Sequence, residues 1–136
     1  MKGAPPVAQA MITCDYVVQD CHSQKYTLAG IFNYFQAVKL PLTVSFHTYI
    51  CLVDGRGDMP ALLRMVNNEL NKEIFSARMN IVFGAPLSPL EIIVTVNQIQ
   101  LEAFGTYALE FVVGSEVLAM RQLSLRPIRL DSGATL

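Results

Sequence analysis

The stretch "VSFHTYICL", Val44 to Leu52, alternates at every second residue. Val44, Phe46, Thr48, Ile50 and Leu52 fall on one side, and Ser45, His47, Tyr49 and Cys51 on the other. A two-residue period is the signature of a strand with one face buried, and it is incompatible with the 3.6-residue period of a helix. The same period recurs along the chain. Ile12, Cys14, Tyr16 and Val18 share a face between Met11 and Asp20, and Phe75, Ala77, Met79, Ile81 and Phe83 share another. Punctuation separates these runs: the polar "DCHSQK", Pro41 in "VKLPLT", the "DGRGD" loop and "GAPLSP" with its Gly and two Pro. Short strands at regular spacing between turn signals describe an all-β antiparallel sandwich, immunoglobulin-like or related, of about 7–9 strands rather than a βαβ fold.

Two segments refine this expectation. Gly30 interrupts "YTLAGIFNYF" and is expected to mark a bulge. "EIIVTVNQIQL" is β-branched and apolar on both faces, which suggests a central strand covered on each side or one lying deep in a sandwich. Near the end, Gly114-Ser115 suits the two central positions of a type II′ hairpin turn, because Gly tolerates the positive φ required first. The pairing then sets Val113 opposite Glu116, Phe111 opposite Leu118 and Leu109 opposite Met120, so that these four large apolar side chains fill a core. Glu110 lies on the other face near Arg121, and a bulge is expected near Gln122, where the apolar parity switches to Leu123 and Leu125.

Met59 to Phe75 reads two ways. Asp58 as a cap, Pro60 in a first turn, and Leu62, Val66, Leu70 and Ile74 at helical spacing describe a helix. Leu62, Arg64 and Val66 against Leu63 and Met65, with "NNELNK" as an Asn-rich turn, describe a hairpin.

With 136 residues the chain is long enough for one domain with a substantial core. The expected organisation is an N-terminal arm over residues 1–10, one domain over 11–128 and a tail over 129–136. Hydrophobic residues make up 52% and charged residues 15%, which sets the chain far from the disordered class and points to a two-sided core or a partner surface. Net charge is −1 with Lys and Arg scattered singly, against the clustered basic face of a nucleic-acid binder. No run reaches the ~18–20 apolar residues of a membrane span, and no apolar region of a secretory signal follows Lys2. Cytoplasmic residence is expected, with Cys14, Cys21 and Cys51 as reduced thiols.

The frame "CDYVVQD…KYTLAGIFNYF", Cys14 to Phe35, resembles the "…a…v..dgkl.liGiFd.i" opening of an uncharacterised bacterial domain-of-unknown-function family of small β-sandwich proteins. "VNQIQLEAFGTYALEFVVGSEVLAMRQLSL", Val96 to Leu125, is similar to that family's "n...l.f...G.Y.f.i..dg..l....l.v" ending. The marks are Leu28, Gly30-Ile31-Phe32-Asn33, Gly105, Tyr107 and the final hairpin, with Asn33 standing where members usually show Asp. The resemblance implies a compact antiparallel sandwich, which favours the strand reading of Met59–Phe75, and it implies no activity.

Chemistry is sparse. His47 and Cys51 form H-x-x-x-C, but on a strand four residues span roughly 13 Å, too far to share an ion. Cys21 and His22 in the first turn make a better thiol or metal pair, yet two further ligands are missing. Asp54 and Asp58 flank a Gly-rich loop that could hold a hard cation, although an EF-type loop needs more acids. Arg56-Gly57-Asp58 reads as a solvated loop. Neither a nucleophile elbow nor a phosphate-cradling Gly motif is present, and no cofactor is expected. Phe32 and Phe35 have opposite parity, so on a regular strand one of them covers an edge, fills the second face or, with Tyr34, contributes to a partner surface, and core packing is the favoured reading. The expected function is a non-catalytic interaction or structural module, pairing with an unknown protein or with itself as a homodimer. The alternative is a small-molecule or metal-binding domain, or an enzyme assembled only in three dimensions, with Cys21, His22, Asp54 and Asp58 as participants.

Overall fold

A computed structural model describes residues 5–84 and 88–129. They form nine strands: β1 (Val7–Gln19), β2 (Tyr26–Ile31), β3 (Tyr34–Ala37), β4 (Leu42–Val53), β5 (Asp58–Asn67), β6 (Lys72–Val82), β7 (Leu90–Leu101), β8 (Gly105–Val113) and β9 (Glu116–Pro127). Two sheets result, sheet A in the order β2-β1-β4-β7 and sheet B in the order β3-β9-β8-β5-β6. Every neighbouring pair is antiparallel except β3 with β9, so the expected all-β sandwich is the fold. Within the expected arm, β1 already begins at Val7; residues 1–4 of that arm and 130–136 of the expected tail lie outside the described residues, as do 85–87 of "GAPLSP".

The two-residue period does the sorting. Phe46, Thr48, Ile50 and Leu52 of β4 point between the sheets and are buried, as are Ala61, Leu63 and Met65 of β5. Tyr107, Leu109 and Phe111 of β8 meet them from the same sheet as β5 and are at most 1% exposed. Met59–Phe75 is strand, turn and strand, with Asn67 accepting hydrogen bonds from the Glu69 and Leu70 amides at 3.0 and 3.2 Å to close the turn. Local helical spacing loses here because β5 sits between β6 and β8 and draws ladder bonds from both.

Four expectations are corrected. Gly30 makes no bulge, since β1 and β2 keep one register throughout. Its φ of 72° and its closeness to Asp15, whose carboxylate an added Cβ would overlap, are what require glycine. β7 is an edge strand, not a central one; its two-sided apolarity has another cause, taken up below. The final hairpin turns at Gly114 with φ 63°, as expected, but its bulge falls at Leu118 rather than Gln122. Phe111 therefore pairs with Ala119 and Glu110 with Met120, which turns Met120 outward to 53% exposure. Glu110 pairs with Arg64 across β5 at 2.7 Å, while Arg121 reaches Asn33 Oδ1 at 2.6 Å.

Two of the residues that marked the family resemblance, Phe32 and Tyr107, are held by local hydrogen bonds. Thr13 Oγ1 donates to the Phe32 carbonyl at 2.7 Å, and the Phe32 amide donates to the Thr13 carbonyl at 3.1 Å, where the chain leaves sheet A for sheet B. Tyr107 is 1% exposed, and its hydroxyl donates to the Ala103 carbonyl at 2.7 Å, so a large ring is buried with its polar tip satisfied. Burial holds its phenol above the usual tyrosine range.

Candidate interaction surface

The expected reactive groups do not converge. Cys21 and His22 are exposed in the β1–β2 turn, where the Asp20 carboxylate accepts the His22 and Ser23 amides at 3.0 and 2.6 Å. Those bonds, the Ser23 amide first, hold Asp20 below the usual carboxylate range, and the turn is an ordinary Asx-type closure. Asp54 (φ 63°) is exposed in the β4–β5 loop, and Asp58 is exposed at the first position of β5. Among the described residues, no group of three His, Cys, Asp or Glu side chains is placed to hold a metal ion. His47 and Cys51 lie four apart on one strand, and the Cys51 thiol engages Gln9 Oε1 at 3.4 Å.

Phe32 and Phe35 pack against the core together, their centroids 5.0 Å apart and 5.4 and 5.9 Å from that of Phe46. Their opposite parity is no obstacle because β2 and β3 belong to different sheets, with a break at Phe32–Asn33 between them. Tyr34 stays on the surface, 43% exposed beneath the Arg126 guanidinium at 4.1 Å.

Charge separates the two sheets. The strands of sheet A contain Asp15 and Glu91 and no Lys or Arg, whereas β5, β6, β8 and β9 all carry charge, with Lys72, Glu73 and Arg78 on β6 alone. The outward side of sheet A is correspondingly neutral. Register places Cys14 beside Ile31 and His47, Ile12 beside Tyr49, and Tyr49 beside Ile93. Tyr16, Val18 and Ile31 of the β1–β2 hairpin share a face and are 68%, 59% and 58% exposed. Sequence reasoning missed this surface because its strands are scattered along the chain.

Polar groups on this side are paired among themselves. His47 Nδ1 lies 3.1 Å from Thr95 Oγ1, and Ser45 Oγ donates to Asn97 Oδ1 at 3.1 Å while accepting the Gln98 amide at 2.9 Å. With Asp15 and Tyr16 they line a shallow concavity of about 310 Å³. The Tyr49 hydroxyl donates to Glu91 Oε2, and the Tyr26 ring meets Tyr49 edge-on at 5.9 Å. Burial, then the hydrogen bond to Glu91, pushes the Tyr49 phenol far above its usual range. Burial, reinforced by the Asp15 charge, also raises the Cys14 thiol, so the thiol beside His47 is held in its un-ionised, weakly nucleophilic form.

On one side of the sandwich β6 and β7, the edges of the two sheets, flank an open groove of about 460 Å³ lined by Ala77, Met79, Ile81, Leu90, Ile92 and Val94 among others.

Fold and surface together define a small two-sheet β-sandwich domain with one nearly uncharged sheet. The chain belongs to a family of unknown function, DUF6941, whose model matches residues 9–126. No curated protein matches it significantly. No helix among the described residues is long and apolar enough to cross a membrane.

Proposed function

We propose that the protein is a non-catalytic interaction module that self-associates through sheet A. One observation carries this reading: a whole sheet lacks Lys and Arg and presents Tyr16, Val18 and Ile31 to solvent. Depletion of charge and enrichment in tyrosine and large aliphatics characterise the centres of protein interfaces, and contiguous apolar patches on a soluble domain mark docking surfaces. Sheet B, with charge on four of its five strands, is the face suited to water. Light scattering from micromolar to millimolar concentration is expected to give a mass above the 15.0 kDa of one chain. Hydrogen exchange is expected to slow on β1, β2, β4 and β7 as the concentration rises. A single-chain mass throughout overturns self-association.

A second reading, small-molecule binding, is favoured by the apolar β6–β7 groove, whose volume lies in the range of ligand pockets. A compound that raises the melting temperature of a strictly monomeric protein would shift the assignment to it.

A further inference from the structure

We infer that the partner is a second copy of this chain, joined antiparallel along β7; this rests on the interaction reading above. Open sheet edges are ordinarily blunted by shortness, charge, proline or irregular backbone, because unpaired N–H and C=O groups recruit other strands. Three of the four edges are blunted. β3 has four residues, β2 has six with Gly30 at φ 72°, and β6 carries Lys72, Glu73 and Arg78. β7 is different. From Leu90 to Val96 it keeps one unbroken register against β4, without proline and with Glu91 as its one charge. Among the described residues it pairs with no other strand. Such a segment, β-branched and nearly neutral, is the kind that associates edge to edge.

The segment also specifies its own geometry. The irregularity at Asn97–Gln98, where Gln98 has φ 51°, ends the regular stretch, so full antiparallel overlap of Leu90–Val96 centres on Ile93. In that register Ile93 faces Ile93 across the two-fold axis, and Ile92 faces Val94 on the core side. Glu91 of each copy faces Thr95 of the other on the outward side. Each carboxylate then meets the Thr95 hydroxyl, itself 3.1 Å from His47 Nδ1, rather than another anion. Parallel pairing would set Glu91 against Glu91, a like-charge contact that opposes it. An isologous two-fold contact of this kind closes on itself and stops at a dimer, turning two four-stranded sheets into one continuous sheet.

The apolarity of β7 on both faces follows. Its inner face packs on the core, its free edge is the junction, and on the outward side Ile93 packs against Ile93 of the second copy across that junction.

Cross-linking tests the register directly. In a Cys21→Ser background, which removes the exposed thiol, Ile93→Cys and Thr95→Cys are oxidised and run on non-reducing gels. Directly opposed residues of an antiparallel pair have Cα atoms about 4.5–5.5 Å apart, within disulfide reach. The two Thr95 positions would be four residues out of register, roughly 13 Å apart. Ile93→Cys is expected to give a covalent dimer and Thr95→Cys none, while Ile93→Lys, which sets two ammonium groups on the axis, lowers the light-scattering mass to one chain. A dimeric wild type whose Ile93→Cys form stays uncross-linked, or whose Thr95→Cys form cross-links instead, overturns the β7 junction and leaves the sheet A reading standing. A monomeric wild type overturns both.

Discussion

Thr48 is the test of how well the core is understood. It lies in the middle of β4, 0% exposed, between the buried Phe46 and Ile50, and its Oγ1 has no hydrogen-bond partner among the described residues. A hydroxyl taken out of water without compensation costs about 1–3 kcal/mol. Valine has the same β-branched shape, fits the same strand backbone and replaces the hydroxyl with a methyl. Thr48→Val should therefore stabilise the fold by about 1–2 kcal/mol, which for a domain of this size raises the melting temperature by about 3–6 °C. Thr13, directly opposite on β1, supplies the control, because its hydroxyl donates to the Phe32 carbonyl at 2.7 Å. The same change there removes the bond that ties β1 to the end of β2 and should cost about 1 kcal/mol. Urea titrations of both variants, at one protein concentration so that association contributes equally, should move the midpoint in opposite directions with the slope unchanged. A Thr48→Val protein less stable than wild type would refute the reasoning: that hydroxyl would then have a partner, such as a buried water, that the geometry does not reveal.

Two further outcomes follow from single residues. Gly30→Ala forces an L residue to φ 72° and drives its Cβ against the Asp15 side chain, so a loss of roughly 1–2 kcal/mol is expected in the same titration. Tyr49, whose folded-state pKa is raised, contributes stability that is fully present below the unfolded value of about 10 and is lost as pH rises beyond it. Melting temperatures above that pH should fall more steeply for wild type than for Tyr49→Phe, and parallel curves would count against the burial of this phenol.

Much of the fold was legible because burial follows parity, and parity can be read along one strand at a time. β4 and β6 are visible in this way, and so is the turn at Gly114. What misled was any inference that needed the neighbour. "EIIVTVNQIQL" carries the composition of a central strand, yet it is an edge, because composition reports that both faces are covered without saying by what. Phe32 and Phe35 look incompatible only while the chain between them is taken as one strand; the crossing from sheet A to sheet B resets the parity and delivers both rings to Phe46. The Leu118 bulge is invisible for a related reason. Moving it four residues keeps Leu118 on the core and turns Met120 out to solvent, and nothing in two apolar side chains signals which stays.

The site was less legible than the fold, and the cause is topological. Motif reasoning looks for reactive residues at short spacing and found Cys21, His22, Asp54 and Asp58, which lie in or beside two separate turns. The informative quantity was instead where charge is missing. In sequence order the neutral stretches β1, β2, β4 and β7 are interrupted by charged ones, so the chain average of 15% charged residues conceals them. Sorted by sheet, the average splits into one side that resembles an ordinary wet surface and one that does not. A protein under no constraint beyond folding has no reason to keep Lys and Arg off an outward sheet face, since long charged side chains sit there at little cost. Their absence from four strands gathered side by side in one sheet is the feature on which the proposed self-association rests, and the light-scattering measurement decides it.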